Sequence, residues 1–129
     1  MKRVKEIATE LSKGTFGKAS DLRRELSRID NLVDAEIMEI ARQAMISNLK
    51  GGRVDAAKEI RKSFSLSQDI VDETVEQAVM SSLYEGDMQR VRELKADLPI
   101  KKELGDKIIG YCATWGKKER TAALEELFA

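Results

Sequence analysis

Apolar side chains recur along this chain at every third or fourth position. Val4, Ile7, Ala8 and Leu11 fall at i, i+3, i+4 and i+7, and Ile37, Ile40, Ala41 and Ala44 repeat the spacing, with Met45 and Asn48 continuing the stripe. The same interval joins Val71, Val75, Ala78, Val79 and Leu83, and again Leu104, Ile108, Tyr111, Cys112 and Trp115. This spacing gathers the apolar positions on one face of a 3.6-residue turn and predicts four longer amphipathic helices. Each is followed by a Gly and a shorter segment of the same kind: Ala19, Leu22, Leu26 and Ile29; Val54, Ala57, Ile60 and Phe64; Met88, Val91, Leu94 and Leu98; Leu124, Leu127 and Phe128. Phe64 and Leu98 are expected in the core. No stretch alternates with period two for long enough to make a strand, so the expected class is all-α with about eight helices.

The pattern also repeats at long range. Ala44, Gly52, Ala57, Ile60, Phe64, Leu66 and Ile70 return 34 residues later as Ala78, Gly86, Val91, Leu94, Leu98, Ile100 and Leu104. Upstream, Leu11, Gly14, Phe16, Ala19, Leu22 and Leu26 precede Leu49, Gly52, Val54, Ala57, Ile60 and Phe64 by 38. Downstream, Ala78 returns as Cys112, and Gly116-Lys117-Lys118 aligns only with a deletion. The chain therefore reads as one helical-repeat domain, 1–129, of four hairpins at approximately 1–32, 33–67, 68–101 and 102–129. A lone hairpin cannot bury both of its sides, so hairpins stack; the expected architecture is an α-α superhelix, or solenoid. A closed multihelical bundle satisfies the same period.

Local chemistry supports the hairpin boundaries. Ser65 or Ser67 can cap the helix that starts near Gln68, which stands where a capping box places its reciprocal partner. Gly86 suits a left-handed turn after a helix, and Asp87 suits the cap of the next.

The turn Lys50-Gly51-Gly52-Arg53-Val54-Asp55-Ala56-Ala57, echoed by Tyr84-Glu85-Gly86-Asp87-Met88-Gln89-Arg90-Val91, resembles the inter-helix turn of tetratricopeptide and pentatricopeptide repeats. The period of 34 equals the tetratricopeptide length. The large aromatic expected early in the first helix is absent from both central copies, and Pro99 falls several residues before a tetratricopeptide proline. The resemblance implies a binding module: a tetratricopeptide-like array offers a concave surface to a peptide or partner protein, and a pentatricopeptide-like array reads single-stranded RNA. The expected function is accordingly a non-catalytic protein-interaction scaffold or adaptor, with RNA binding through a basic N-terminal half as the alternative.

Composition narrows the chemistry. The 129 residues include 23 Lys and Arg, 23 Asp and Glu, no His and one Cys. Without His the commonest general base and metal ligand are missing, and a single Cys forms no internal disulfide and no multi-Cys zinc site. No enzyme activity, cofactor or metal site is expected. The segment Gly14-Thr15-Phe16-Gly17-Lys18-Ala19-Ser20 shares part of the spacing of a phosphate-binding loop, but Ser12 replaces its first Gly and Ala19 its magnesium-binding hydroxyl. An interhelical turn is the simpler account. Cys112 sits on an apolar stripe and reads as a small buried hydrophobe. The charged start and the lack of any run near the ~20 apolar residues that span a bilayer lead to an expectation of a soluble cytoplasmic protein with no membrane partner.

Zero net charge conceals a gradient. Residues 1–67 carry four more basic than acidic residues, and residues 68–129 four more acidic than basic. Asp69, Asp72, Glu73 and Glu76 share one predicted helical face, suited to a cation, a basic peptide or simple solvation. Arg61 and Lys62, with Arg23-Arg24 upstream, offer positive charge to acidic segments or RNA phosphates, or complement helix C-termini. These six, Asp69, Asp72, Glu73, Glu76, Arg61 and Lys62, are the candidate partner-binding residues. Tyr111, Trp115, Leu127 and Phe128 are expected to pack as a C-terminal cap; left exposed, that edge would pair two copies as a weak homodimer in place of a monomer.

Overall fold

The computed structural model describes every residue except Met1, Thr15, Phe16 and Lys117. Among the described residues it holds eight α-helices and no strand: α1 Lys2–Ser12, α2 Ala19–Ser27, α3 Asp34–Lys50, α4 Val54–Phe64, α5 Gln68–Tyr84, α6 Met88–Asp97, α7 Lys102–Thr114 and α8 Lys118–Leu127. None of them is long and apolar enough to cross a membrane. Ser67 proves to be the cap of α5, its hydroxyl accepting from the Ile70 amide, because Ser65 is already committed as the left-handed end of α4 at φ 53°. Asp87 caps α6 by accepting from the Arg90 amide.

The stripes determine which helices meet. Helix α1 packs on α3, α3 on α5 and α5 on α7, and each odd helix also packs on the even helix that follows it. Ile7, Leu11, Ala41, Ala44, Met45, Leu49, Val75, Ala78, Val79, Leu83, Ile108 and Cys112 from the odd helices join Leu22, Leu26, Ala57, Ile60, Phe64, Val91, Leu94 and Leu124 from the even ones in one apolar core. Ala44 and Ala78 are fully buried at equivalent places in α3 and α5, where the absence of a long side chain lets neighbouring backbones approach. Leu98 departs from expectation. Helix α6 ends at Asp97, and Leu98 takes an extended conformation of φ −127° and ψ 141°, as a residue before proline prefers. It is therefore only half-buried.

Three arginines tie each hairpin to the turn before it. A helix C-terminus carries carbonyls without intrahelical partners and a partial negative charge, which suit a guanidinium. Arg53 reaches back to α1, where its Nη2 donates to the Ser12 carbonyl at 3.0 Å, and its Nε donates to Asn48 Oδ1 at 2.8 Å. Asn48 is wholly buried and donates in turn to the carbonyls of Leu11 and Ala44, both at 2.8 Å. Arg120 donates through Nη1 to the Leu83 carbonyl at 2.8 Å, beside Gly86. Arg90 lies so close over Gly52 that a Cβ there would collide with its guanidinium, and Gly52 also holds φ 75°, the left-handed region that glycine enters freely. Unlike the other two, Arg90 turns its Nη1 to Glu93 at 2.5 Å and keeps a buried Nε without a hydrogen-bond partner.

The even helices are joined less regularly. Glu59 on α4 caps α2 from outside, accepting from the amides of Gly17 at 3.0 Å and Ala19 at 3.4 Å, and the Ser20 and Ser63 hydroxyls meet at 3.1 Å. Neither bridge recurs one period later, since Glu93 is engaged by Arg90 and Asp97 stands where Ser63 stood. Helix α2 packs along α4, whereas α4 and α6 scarcely touch.

Candidate binding cleft

Between α4 and the Leu98-Pro99 connection that leads from α6 into α7 lies an apolar cleft of about 90 Å³. Its floor is Met45 and Leu49 of α3 with Val71 and Val75 of α5, all less than 9% exposed. One wall is α4, through Ala57, Lys58 and Arg61; the other is Leu98, Pro99 and Leu104. Gln68 and Asp72 close one end. Leu98 and Leu104 are half-buried, so the wall keeps aliphatic surface in reach of solvent. The arrangement suits the burial of an aliphatic side chain between polar margins, a common form of binding site.

The six candidate residues are divided by this geometry. Arg61 and Asp72 line the cleft, and Lys62 follows Arg61 on the exposed surface of α4. Arg61 Nη2 donates to Gln68 Oε1 at 2.8 Å, and Gln68 Nε2 donates to Asp72 Oδ1 at 2.8 Å, so a polar chain crosses one end. The acidic face of α5, by contrast, is not the free surface that the spacing suggested. Glu73 pairs with Arg42 of α3 at 3.1 Å, Glu76 with Lys107 of α7 at 3.1 Å, and Asp72 with Lys101 at 3.5 Å. Asp72 and Glu76 are half-buried, and Asp69 alone of the four stays exposed without an ion pair. Among the described residues no cluster of three or more His, Cys, Asp or Glu is placed to hold a metal ion.

These pairs shift the ionisation of their members. A hydrogen bond from Arg42, seconded by one from Gln43, brings the Glu39 carboxyl down to about 2. The hydrogen bond to Glu76 raises Lys107 above its ordinary value. Arg3 similarly lowers Glu25, while also pairing with Glu6 and Glu10 on the outer side of α1.

The remaining candidates settle as follows. Cys112 is fully buried. In the Gly14–Ser20 segment, Thr15 and Phe16 lie outside the described residues, and the amides of Gly17 and Ala19 are spent on the Glu59 carboxylate. Of the C-terminal apolar residues, Leu127 and Phe128 pack partly against the core, but Tyr111 and Trp115 do not. Trp115 lies one residue beyond the end of α7, and its ring meets that of Tyr84 edge-on at 6.2 Å; Tyr84 is 79% exposed. Lys58, Leu98, Pro99 and Leu104 were not singled out as binding residues from the sequence. The early proline was the available clue, since it shortens the second helix of that repeat.

Comparison of the chain with protein-family models, with curated proteins and with solved structures gave no match.

Proposed function

We propose that this protein is a non-catalytic interaction scaffold, an open, tetratricopeptide-like α-solenoid that holds a segment of a partner protein in the cleft between α4 and the Leu98-Pro99 connection that leads into α7. The observation that carries this reading is the cleft itself: aliphatic side chains left within reach of solvent, bordered by charged groups, beyond the point where the packing of α2 on α4 ceases to be repeated. The open stack is supported by the order of packing from α1 through α3 and α5 to α7 and by the arginines that reach back one hairpin each. Arg3 with Glu6, Glu10 and Glu25 gives the first hairpin a charged outer surface, as the end of a stack requires. Of the four carboxylates on the acidic face of α5, Asp72, Glu73 and Glu76 are held by Lys101, Arg42 and Lys107 of neighbouring elements.

Site-specific photocrosslinking tests the reading. A benzophenone side chain at position 98, beside the cleft, is expected to give a discrete protein adduct in extract of the native host, and the same group at Lys13 is expected to give none. Equal labelling from both positions, or none from 98, would remove the cleft as the binding surface.

A further inference from the structure

The charges around the cleft point to the chemistry of its occupant, an inference that rests on the scaffold reading and specifies it. Lys58, Arg61 and Lys62 lie at i, i+3 and i+4 on α4 and so share one face of that helix. Lys58 and Lys62 are exposed and form no ion pair, and the guanidinium of Arg61 is met only by the neutral Gln68. Across the cleft the carboxylate of Asp72 is already answered by Lys101 and Gln68. Lys58 shares an adjoining hollow with the exposed Asp55 and Asp97 without an ion pair to either, so the positive charge at the mouth of the cleft that no carboxylate adjoins is that of Arg61 and Lys62. Below it lie only aliphatic side chains, with no aromatic ring among the cleft's lining residues. Nucleic-acid bases would find phosphate-binding charge here but no ring to stack upon.

We infer that the cleft binds an acidic peptide segment through one aliphatic anchor of leucine or methionine size, with carboxylates flanking the anchor set against Lys58, Arg61 and Lys62. The anchor enters between Val75 and Leu98, and the flanking acids gain from cations that the fold leaves unpaired. Such a site is expected to be weak for a short peptide, with Kd of about 0.1 to 1 mM, and to weaken further as salt screens the exposed charges.

The test uses the full chain and fluorescein-labelled five-residue peptides, with a central leucine between two glutamates on each side. Binding is read by fluorescence anisotropy and its place by methyl chemical shifts. Support consists of saturable binding with shifts at Leu49, Val71, Val75 and Leu98, about tenfold weaker with alanine at the centre, and absent with lysines in place of the glutamates. The combined surface variant Lys58→Glu, Arg61→Glu and Lys62→Glu, with its helical circular dichroism retained, is expected to lose at least tenfold. Equal binding of the leucine and alanine peptides would overturn the anchor, and binding that survives the charge reversal would overturn the acidic preference. Tighter binding of a uridine oligonucleotide, competing with the peptide, would assign the surface to RNA instead. If crosslinking from position 98 succeeds while every acidic peptide fails, the scaffold reading stands and this assignment of its ligand falls.

Discussion

Asn48 concentrates more of the polar bonding than any other buried side chain. Its amide nitrogen donates to the Leu11 carbonyl at the end of α1 and to the Ala44 carbonyl within α3, while its oxygen receives Arg53. Asn48→Leu would strand the Arg53 Nε and leave the Leu11 carbonyl with the Gly14 amide alone, and is expected to destabilise the protein by about 1–3 kcal/mol, seen as a lower urea midpoint at unchanged slope. Glu39 gives a second expectation at this scale. Its folded pKa of about 2 lies below the ordinary carboxylate range, so its contribution to stability is complete above that range and lost as pH falls through 2. Because Glu39 is 54% exposed, the contribution is small. Carboxyl NMR titration should place its midpoint near 2, and Arg42→Ala should return it toward about 4.3. Some residue roles resisted reading from sequence for a definite reason. Periodicity put Asn48 on the buried stripe but could not show its partners, which lie 37 residues before it and five after. Ser65 and Ser67 carried the same hydroxyl, and only the left-handed backbone at Ser65 separated them.

Helices were legible because their stripes are regular and glycines mark the turns; the ties between hairpins were not. Arg90 and Gly52 lie 38 residues apart, and nothing in either local sequence says that one covers the other. The contact is a product of how the two hairpins pack, and it makes similar substitutions unequal. Gly52→Ala must hold a left-handed backbone and displace Arg90, with an expected loss of about 1–2 kcal/mol from the backbone alone. Gly110→Ala, in α7 with open space around the added methyl, is expected to raise stability by about 0.5–1 kcal/mol. The two variants compared in one denaturation series test the register of the hairpins, since a misplaced turn would make their effects alike.

Across the whole molecule, the acidic excess of residues 68–101 is largely structural. It is drawn toward Arg42 on one side and toward Lys101 and Lys107 on the other, so the charge gradient read from the sequence fastens neighbouring helices as well as marking an end. The cleft was hidden for a related reason. It arises where the repeat fails, through Glu93, Asp97 and the Leu98-Pro99 break, and a period detected by its matches says little about its lapses. Leu98 aligned with Phe64 and was expected to be as deeply buried, yet the proline after it moved it to the wall.

That lapse has a kinetic consequence. Helix α4 is held by α3 beneath it and α2 beside it, whereas α6 rests chiefly on α5, burying only Val91 and Leu94. Its amides should exchange with deuterium well before those of α4 under native conditions, as measured by mass spectrometry of peptic fragments, while those of α3 and α5 exchange last. The protein would then breathe at an interior leaf as well as at its ends, and the rhythm of that opening would govern how quickly anything enters or leaves beside Leu98.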